Sequence, residues 1–234
     1  AGSYLAGSNA AMRGDYVAAS KYFANTLILD PENNFIKYNA MLSTLSMGDV
    51  NTAIKYAKEI NLNNNNHLAD LLIFIDYIKN ERFVLASNLL KKNKENYTEL
   101  LFGLLNGWTD LGRGKMSSVL KTFDEMDGNT TSKLLGQYHI ALALAAVGDF
   151  ENADKILSGN VNGSLRLTRG SLIAHAQIMA ELSKEEEALE LIDKMALKGQ
   201  DNELDLLRQN IQNGKSSYDY ITSAQQGIAE VLFT

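Results

Sequence analysis

The most restrictive feature of the sequence is an internal repeat with a period of 33 to 35 residues. In its first copy, Gly14 and Asp15 stand between two apolar stretches, and Asp30 and Pro31 follow the second stretch. With Gly14 as a marker, the equivalent positions along the chain are Gly14, Gly48, Glu81, Gly114, Gly148 and Ser183. A chain with such a period folds as a row of similar units, because one unit alone cannot bury its apolar face.

Residues at fixed distances from the marker indicate that each unit is a pair of packed helices. A small residue seven positions before it, such as Gly7, lets two helices approach, and a large residue nine positions after it, such as Phe23, fills the space beside the crossing. Gly14 favours the left-handed backbone that ends a helix. Asp15 and Asp49 can then cap the next helix by accepting from its first amides. The sequence therefore predicts an all-α protein of antiparallel helix pairs.

This pattern resembles the tetratricopeptide repeat (TPR), a helix–turn–helix unit of about 34 residues. The first copy matches it most fully, at Gly7, Gly14, Asp15, Tyr16, Ala19, Asp30 and Pro31. Later copies depart from it, since Pro31 is the single proline of the chain and Glu81 and Ser183 replace the turn glycine. The resemblance implies a right-handed superhelical solenoid with a concave groove lined by the first helices of successive repeats.

We expect a single TPR-like solenoid over residues 1–234. Its repeats are predicted at about 1–33, 34–66, 67–99, 100–133, 134–167 and 168–201, with an irregular partial repeat at 202–234. Polar stretches at 61–67 and 158–164 are predicted connectors. The pattern breaks near 214–220, and residues 227–234 look like the start of a further helix. Because Ile228, Val231, Leu232 and Phe233 are apolar rather than cap-like, we expect that the chain is a fragment or that something covers this end.

Composition restricts the class of partner. The formal net charge is −6 and the sequence pI is about 5.1, which argues against nucleic acid, because phosphate binding requires a basic surface. The chain has no cysteine, so it forms no disulfide or zinc–thiolate site. Its longest uncharged apolar run lies within 140–147, far short of the roughly 20 residues that a membrane span requires.

Several stretches also resemble a narrower group, an alphaproteobacterial family of TPR proteins without an assigned activity. The similar stretches are 1–6, 108–126, 138–157, 165–169 and 227–233. Members typically begin with a secretory leader and continue beyond the point that matches Thr234. The resemblance therefore implies a truncated protein that is periplasmic or otherwise exported; a cytoplasmic one is the alternative.

The sequence contains no complete motif for catalysis or for binding a metal or cofactor. We therefore predict no catalytic residue, metal site or cofactor, and a protein that is not an enzyme. The three histidines, His67, His139 and His175, fall in different repeats without ligand spacing. The glycine- and lysine-containing stretch at 112–117 lacks the first glycine and the Ser or Thr of a phosphate loop. A closed pocket around a strongly perturbed acid or around His139 would reopen the enzymatic alternative.

The predicted site is a surface for a peptide or protein partner. The residues expected to line the concave groove are Tyr4, Tyr38, Asn39, Leu42, Ile75, Trp108, Tyr138 and His139. If exposed, this apolar and aromatic strip would bind an extended or helical peptide, with Trp and Tyr as anchors. Two alternatives stay open: many of these residues belong to the core, or the chain is a structural module that self-associates through its apolar helices or its C-terminal end.

Overall fold

The computed structural model describes residues 2–60, 66–125, 130–159, 168–196 and 201–233. Within those ranges the regular structure is helical, with fourteen α-helices and no strand. This confirms the predicted all-α fold of helix pairs. The predicted connectors at 61–67 and 158–164 lie largely outside the described residues. None of the described helices is long and apolar enough to cross a membrane.

The helices fall into two compact units, residues 1–96 and 97–234. The helices of unit 1 are α1 (Gly2–Met12), α2 (Tyr16–Leu29), α3 (Asn34–Ser46), α4 (Val50–Glu59), α5 (His67–Lys79) and α6 (Phe83–Lys92). Those of unit 2 are α7 (Glu99–Gly112), α8 (Met116–Asp124), α9 (Thr130–Ala146), α10 (Phe150–Gly159), α11 (Arg169–Glu181), α12 (Glu185–Ala196), α13 (Asn202–Gln212) and α14 (Ala224–Phe233). That the two units form one continuous solenoid stays a prediction.

The predicted repeat markers are turn residues with left-handed backbone. All six have a positive φ, between 56° and 87°, including the two that are not glycine, Glu81 and Ser183. Gly214, with a φ of 62°, has the same left-handed backbone at the place where the sequence predicted a break in the pattern. The turn geometry is thus more regular than the sequence, because the backbone keeps the same conformation where a side chain makes it costly.

The contacts expected around each turn are present. A side-chain oxygen of Asp15 accepts from the amide of Ala18 at 3.0 Å, and one of Asp49 accepts from Thr52 at 3.1 Å, as helix caps do. The helix crossing also follows the prediction. A Cβ built on Gly7 would lie 3.0 Å from the ring of Phe23, so a small residue is needed where the two helices meet.

The end of the chain departs from the repeat. Residues 215–223 have no regular helix, and α14 then packs on α7 and α9 rather than opening a new pair behind α13. Ile228 and Val231 are buried, with 3% and 8% of their surface exposed, whereas Phe233 is 92% exposed. A further helix was expected here and is present. The buried side of α14 is covered by the first helices of unit 2, which belong to the same chain.

Candidate functional site

The surfaces relevant to binding are formed by the first helices of the pairs. We call the surface of α1, α3 and α5 the first-helix face of unit 1, and that of α7, α9 and α11 the first-helix face of unit 2. The predicted strip is divided between them. Tyr4, Tyr38, Asn39, Leu42 and Ile75 belong to unit 1, and Trp108, Tyr138 and His139 belong to unit 2.

In unit 1 the five predicted residues are all partly exposed. Tyr38 rests on the core that includes Met41 and Ile73, with the rest of its surface outside that core. Tyr4 packs on the neighbouring core and has its ring centroid 6.1 Å from that of Phe23. Aromatic residues anchored at one side and open at the other are suited to bind apolar side chains of a partner.

Phe35 is a residue of this face that the sequence prediction missed. It is 61% exposed, and its ring centroid lies 6.1 Å from that of Tyr4. It precedes Tyr38 by three positions and Leu42 by seven, so the three side chains share one side of α3. That spacing was readable in the sequence, since Phe35 lies almost one helical turn before a residue already assigned to the strip.

Asn39 is engaged within its own helix. Its Nδ2 donates to the carbonyl oxygen of Phe35 at 2.7 Å. This hydrogen bond holds the amide group close to α3.

In unit 2 the predicted residues are buried. The exposed fraction is 0% for Trp108 and His139 and 2% for Tyr138. As the structure stands, these three side chains are therefore core residues rather than exposed anchors. The expectation that Trp108, Tyr138 and His139 are accessible is wrong, because α14, which is distant from them in the sequence, lies on the same face.

His139 is held in one neutral form. Trp108 Nε1 donates to His139 Nδ1 at 3.0 Å, so the neutral imidazole carries its proton on Nε2. Within the described residues, Nε2 has no hydrogen-bond partner. Burial lowers the pKa of His139 to about 3, because an imidazolium would lose its hydration there.

Helix α14 covers this part of the face through two fitted contacts. Gly227 lies on the indole of Trp108, and a Cβ at this position would come within 2.2 Å of the ring. One turn later, Glu230 Oε1 accepts from the Tyr138 hydroxyl at 2.8 Å, and both carboxylate oxygens lie 3.1 Å from the Tyr220 hydroxyl. The helix thus meets α7 through a small residue and α9 through a partly buried acceptor.

The segment before α14 is bound to α11 through its main chain. Gln177 Oε1 accepts from the amides of Asp219 and Tyr220, both at 3.1 Å, and Gln177 Nε2 donates to Asp219 Oδ1 at 2.6 Å. One turn further along α11, Glu181 Oε1 accepts from the amide of Tyr218 at 2.7 Å. The ring of Tyr218 packs edge-on against Phe150, with centroids 5.6 Å apart. Side chains of a helix here recognise polypeptide backbone.

A cavity of about 220 Å³, partly open to solvent, lies where α14 meets α7 and α9. It is lined by Thr98, Leu100, Leu101, Leu104, Leu135, His139 and Val231. The lining is mostly apolar, and the ring of His139 is its one basic group. It holds no carboxylate, and a hydroxyl enters it from Thr98 alone, so the described lining does not assemble a nucleophile with a base.

A second buried histidine is part of an ion-pair cluster rather than a catalytic relay. Asp154 Oδ1 lies 2.9 Å from His175 Nε2 and accepts from the Ser158 hydroxyl at 3.0 Å. Burial opposes ionisation of Asp154, but hydrogen bonds from Lys184, His175 and Ser158 outweigh it, so its pKa lies below the ordinary value. The Ser158 hydroxyl donates to Asp154, and the same nitrogen of His175, Nε2, faces both Ser158 and Asp154. The arrangement therefore lacks the geometry of a hydrolase triad. The described residues contain no group of acids and histidines that could hold a metal ion.

Comparison with known proteins identifies the fold and no family. No protein-family model matches the chain, and no curated protein matches its sequence. Among solved structures, a chain of the APC/C hetero-tetramer Cut9–Hcn1 is 14% identical with a TM-score of 0.51, over 88% of this chain and 41% of that one. This chain thus spans less than half of the Cut9–Hcn1 chain that it matches.

Two further structures are more distant in shape. YrrB, described as a TPR protein with an unusual peptide-binding site, is 14% identical with a TM-score of 0.49, over 82% of this chain and 100% of that one. A chain of Naa15/Naa10 bound to HypK-THB is 17% identical with a TM-score of 0.39, over 98% and 35%. The narrower resemblance to an alphaproteobacterial family stays a prediction. The protein has the all-α helix-pair fold of TPR proteins.

Proposed function

We propose that the protein is a non-catalytic protein-interaction scaffold that binds a peptide segment of a partner on the first-helix face of unit 1. One observation carries this proposal. In unit 2 the corresponding face holds a stretch of polypeptide, residues 218–233, through main-chain hydrogen bonds, aromatic packing and a fitted glycine. The first-helix face of unit 1 has part-exposed aromatic side chains, and we infer that it is likewise suited to hold polypeptide, from another molecule.

The proposed site in unit 1 consists of Tyr4, Phe35, Tyr38, Asn39, Leu42 and Ile75. Phe35 and Tyr4 supply neighbouring rings, and Leu42 continues the same side of α3. Partly buried aromatic residues lose little side-chain entropy when a ligand covers them, so they are efficient anchors. We therefore expect a partner segment with apolar or aromatic side chains at helical or alternating spacing.

The fold is compatible with this role. The APC/C structure is that of a hetero-tetramer, so a chain of similar fold there assembles with other proteins. In the present chain, Trp108, Tyr138 and His139 face residues of the same chain. A partner could reach these three side chains only after α14 had left them.

Self-association is a weaker alternative on structural grounds. It relied on apolar residues of the C-terminal end, of which Ile228 and Val231 are buried within unit 2 whereas Leu232 and Phe233 are exposed. It also relied on the apolar helix α5, of which Leu72, Ile73, Phe74 and Ile78 are buried. The proposed compartment is the periplasm, which follows from the narrower resemblance alone.

The test is selection of peptides from a random library on the immobilised full-length chain, followed by affinity measurement of the enriched peptides by fluorescence anisotropy. We expect the double variant Tyr38→Ala/Leu42→Ala to lose at least tenfold in affinity, because it removes two adjacent apolar contacts. The control is Val84→Ala on the second helix α6, a site that is 58% exposed and outside the proposed face. Circular dichroism must show equal helix content in all three proteins.

Photocrosslinking locates the bound peptide. A benzoylphenylalanine placed at Phe35 should crosslink the selected peptide, and the same group at Val84 should not. Peptides that bind the double variant as tightly as the parent would show that the site is not the first-helix face of unit 1. Enrichment of no peptide at all would refute peptide binding as the function.

A further inference from the structure

We propose that the first-helix face of unit 2 is a second peptide site, and that residues 218–233 are a displaceable in-chain ligand of it. The partner it fits is a segment that is extended over its first part and helical over its second. It has glycine opposite Trp108 and an aliphatic residue larger than valine at the position of Val231. This inference concerns a site separate from that of the proposed function. Four features of the bound segment support it.

The first feature is recognition of the main chain. Gln177 and Glu181 accept three amide protons from residues 218–220. These contacts lie on one side of α11, four positions apart, so they are spaced to follow an extended strand. Any segment without proline at these positions can make the same hydrogen bonds, and the site is therefore not restricted to the sequence that it now holds.

The second feature is a pair of side-chain positions with defined chemistry. Tyr218 is 9% exposed and packs against Phe150, which favours an aromatic residue at the start of the segment. Glu230 accepts from Tyr138, a hydroxyl that is otherwise buried. An acceptor is therefore required at this point of the helix, because a buried donor without a partner is costly.

The third feature is the close approach at Gly227. Since a Cβ there would lie 2.2 Å from the Trp108 ring, any larger side chain forces the helix away from α7. The contact gives the site selectivity for glycine at this helical position. It also provides a way to release α14 without changing any residue of the face itself.

The fourth feature is incomplete filling. The cavity of about 220 Å³ is lined by Val231 from above and by leucines of α7 and α9 from below. Because this mostly apolar cavity is partly open to solvent, the in-chain segment leaves apolar surface unburied there and is not the best ligand for this surface. A leucine at the position of Val231 would enter the cavity and bind more tightly.

The covalent connection explains why such a segment can remain bound while fitting imperfectly. Only residues 213–217 separate α13 from the first anchored amide. A short tether gives an effective concentration on the order of millimolar. A partner at micromolar concentration must therefore bind on the order of a hundredfold to a thousandfold more tightly than the segment itself, which the larger aliphatic side chain helps to achieve.

The experiment uses the full-length chain and a fluorescein-labelled peptide of residues 215–233. In the variant Gly227→Leu the in-chain helix is excluded from Trp108, so the labelled peptide should bind at least tenfold more tightly than it binds the parent. The matched control is Ala229→Leu, which places the same side chain at an exposed position of α14 and should behave like the parent. A second releasing variant, Tyr220→Pro, removes the amide N–H that donates to Gln177 Oε1. It should give the same result, and it replaces the leucine variant if that variant folds poorly.

Three peptides then define the site. The labelled peptide with Val231→Leu should bind the Gly227→Leu protein several-fold more tightly than the natural peptide, and the peptide with Gly227→Leu should not bind. Adding Tyr38→Ala/Leu42→Ala to the protein should leave these affinities unchanged, which separates this site from that of unit 1. Equal, weak binding by the parent and both releasing variants would overturn the proposal. The proposal would also be overturned if hydrogen exchange showed the α14 amides to be equally protected in the parent and in both releasing variants.

Discussion

The Tyr138 hydroxyl donates to Glu230 Oε1 at 2.8 Å across 92 residues of sequence. The same carboxylate lies 3.1 Å from the Tyr220 hydroxyl, in the stretch that precedes its own helix. Burial is the main cause that raises the pKa of Tyr138, and the negative charge of Glu230 adds to it. A single carboxylate therefore joins the first-helix face of unit 2 to both parts of the segment that covers it.

Replacing this carboxylate tests how α14 is held. In Glu230→Ala, the Tyr138 hydroxyl loses its acceptor in a buried place, which should lower the free energy of unfolding by about 1–3 kcal/mol. Exchange of the α14 amides, followed by mass spectrometry, should become faster. The control is Glu186→Ala on an exposed site of α12, expected to change stability by about 0.5 kcal/mol or less. Unchanged exchange in α14 would show that this hydrogen bond does not hold the helix.

A substitution at Gly107 tests the helix crossing of the first pair in unit 2. A Cβ on Gly107 would lie 2.2 Å from the Phe123 ring, whereas one on Gly159 would meet no atom within 4 Å. We expect Gly107→Ala to lower the free energy of unfolding by about 1–3 kcal/mol, because the ring must move within a packed core. Gly159→Ala should be neutral or slightly stabilising. Urea denaturation of both variants gives the comparison; equal effects would contradict the crossing geometry.

The turn at Ser183 offers an opposite change. Its φ of 56° is unfavourable for a residue with a Cβ, so Ser183→Gly should raise the free energy of unfolding by about 1 kcal/mol. The reverse experiment is Gly148→Ala, at a φ of 83° with no atom within 4 Å of the new Cβ. It should destabilise by a similar amount through the backbone alone. Thermal or urea unfolding that shows both changes with the same sign would refute this explanation.

Acid should destabilise the protein through its buried histidines. The pKa of His139 falls from 6.5 to about 3 on burial, and burial also lowers that of His175, against the opposing effect of Asp154. Between these values the unfolded chain binds more protons than the folded one, so the free energy of unfolding decreases as pH falls below about 6.5. For His139 the loss at pH 5 is about 2 kcal/mol, at about 1.4 kcal/mol per pKa unit.

Urea denaturation at pH 7.5 and pH 5 measures this loss. In His139→Gln the group that titrates is removed, so the difference between the two pH values should shrink, whatever the variant's stability at pH 7.5. Asp154 has a lowered pKa and its contribution is lost as pH falls below its ordinary value near 3.8, outside this window. An unchanged pH difference in the variant would show that His139 is not responsible.

The sequence predicted the repeating part of the fold because the contacts there are local. The turn markers, the caps at Asp15 and Asp49, and the pairing of Gly7 with Phe23 all join residues within one repeat. Small and large residues at fixed distances from the turn encode them. At Gly214, where the sequence predicted a break in the pattern, the turn follows a helix whose partner is missing, so the period did not predict a repeat marker there.

The covered face could not be predicted in the same way. A stripe that contains Trp108 and Tyr138 has the same helical spacing whether it meets solvent, core or a distant segment. The contact that decides the matter, between Gly227 and Trp108, joins residues far apart in sequence. The stretch between Gly214 and Ala224 has no period at all, and its binding depends on Gln177, whose residue type alone does not indicate a ligand.

The hydrogen bonds of Gln177 also bear on how freely this chain can vary over evolutionary time. Its carboxamide oxygen accepts from the amides of Asp219 and Tyr220, and every residue except proline supplies such an amide. Most replacements at these two positions leave the main-chain hydrogen bonds in place. Residues 218–233 can therefore acquire new side chains by drift without first losing their attachment to α11. Because α11 binds the main chain of this segment, the segment can accept new side chains and, with them, new binding specificities.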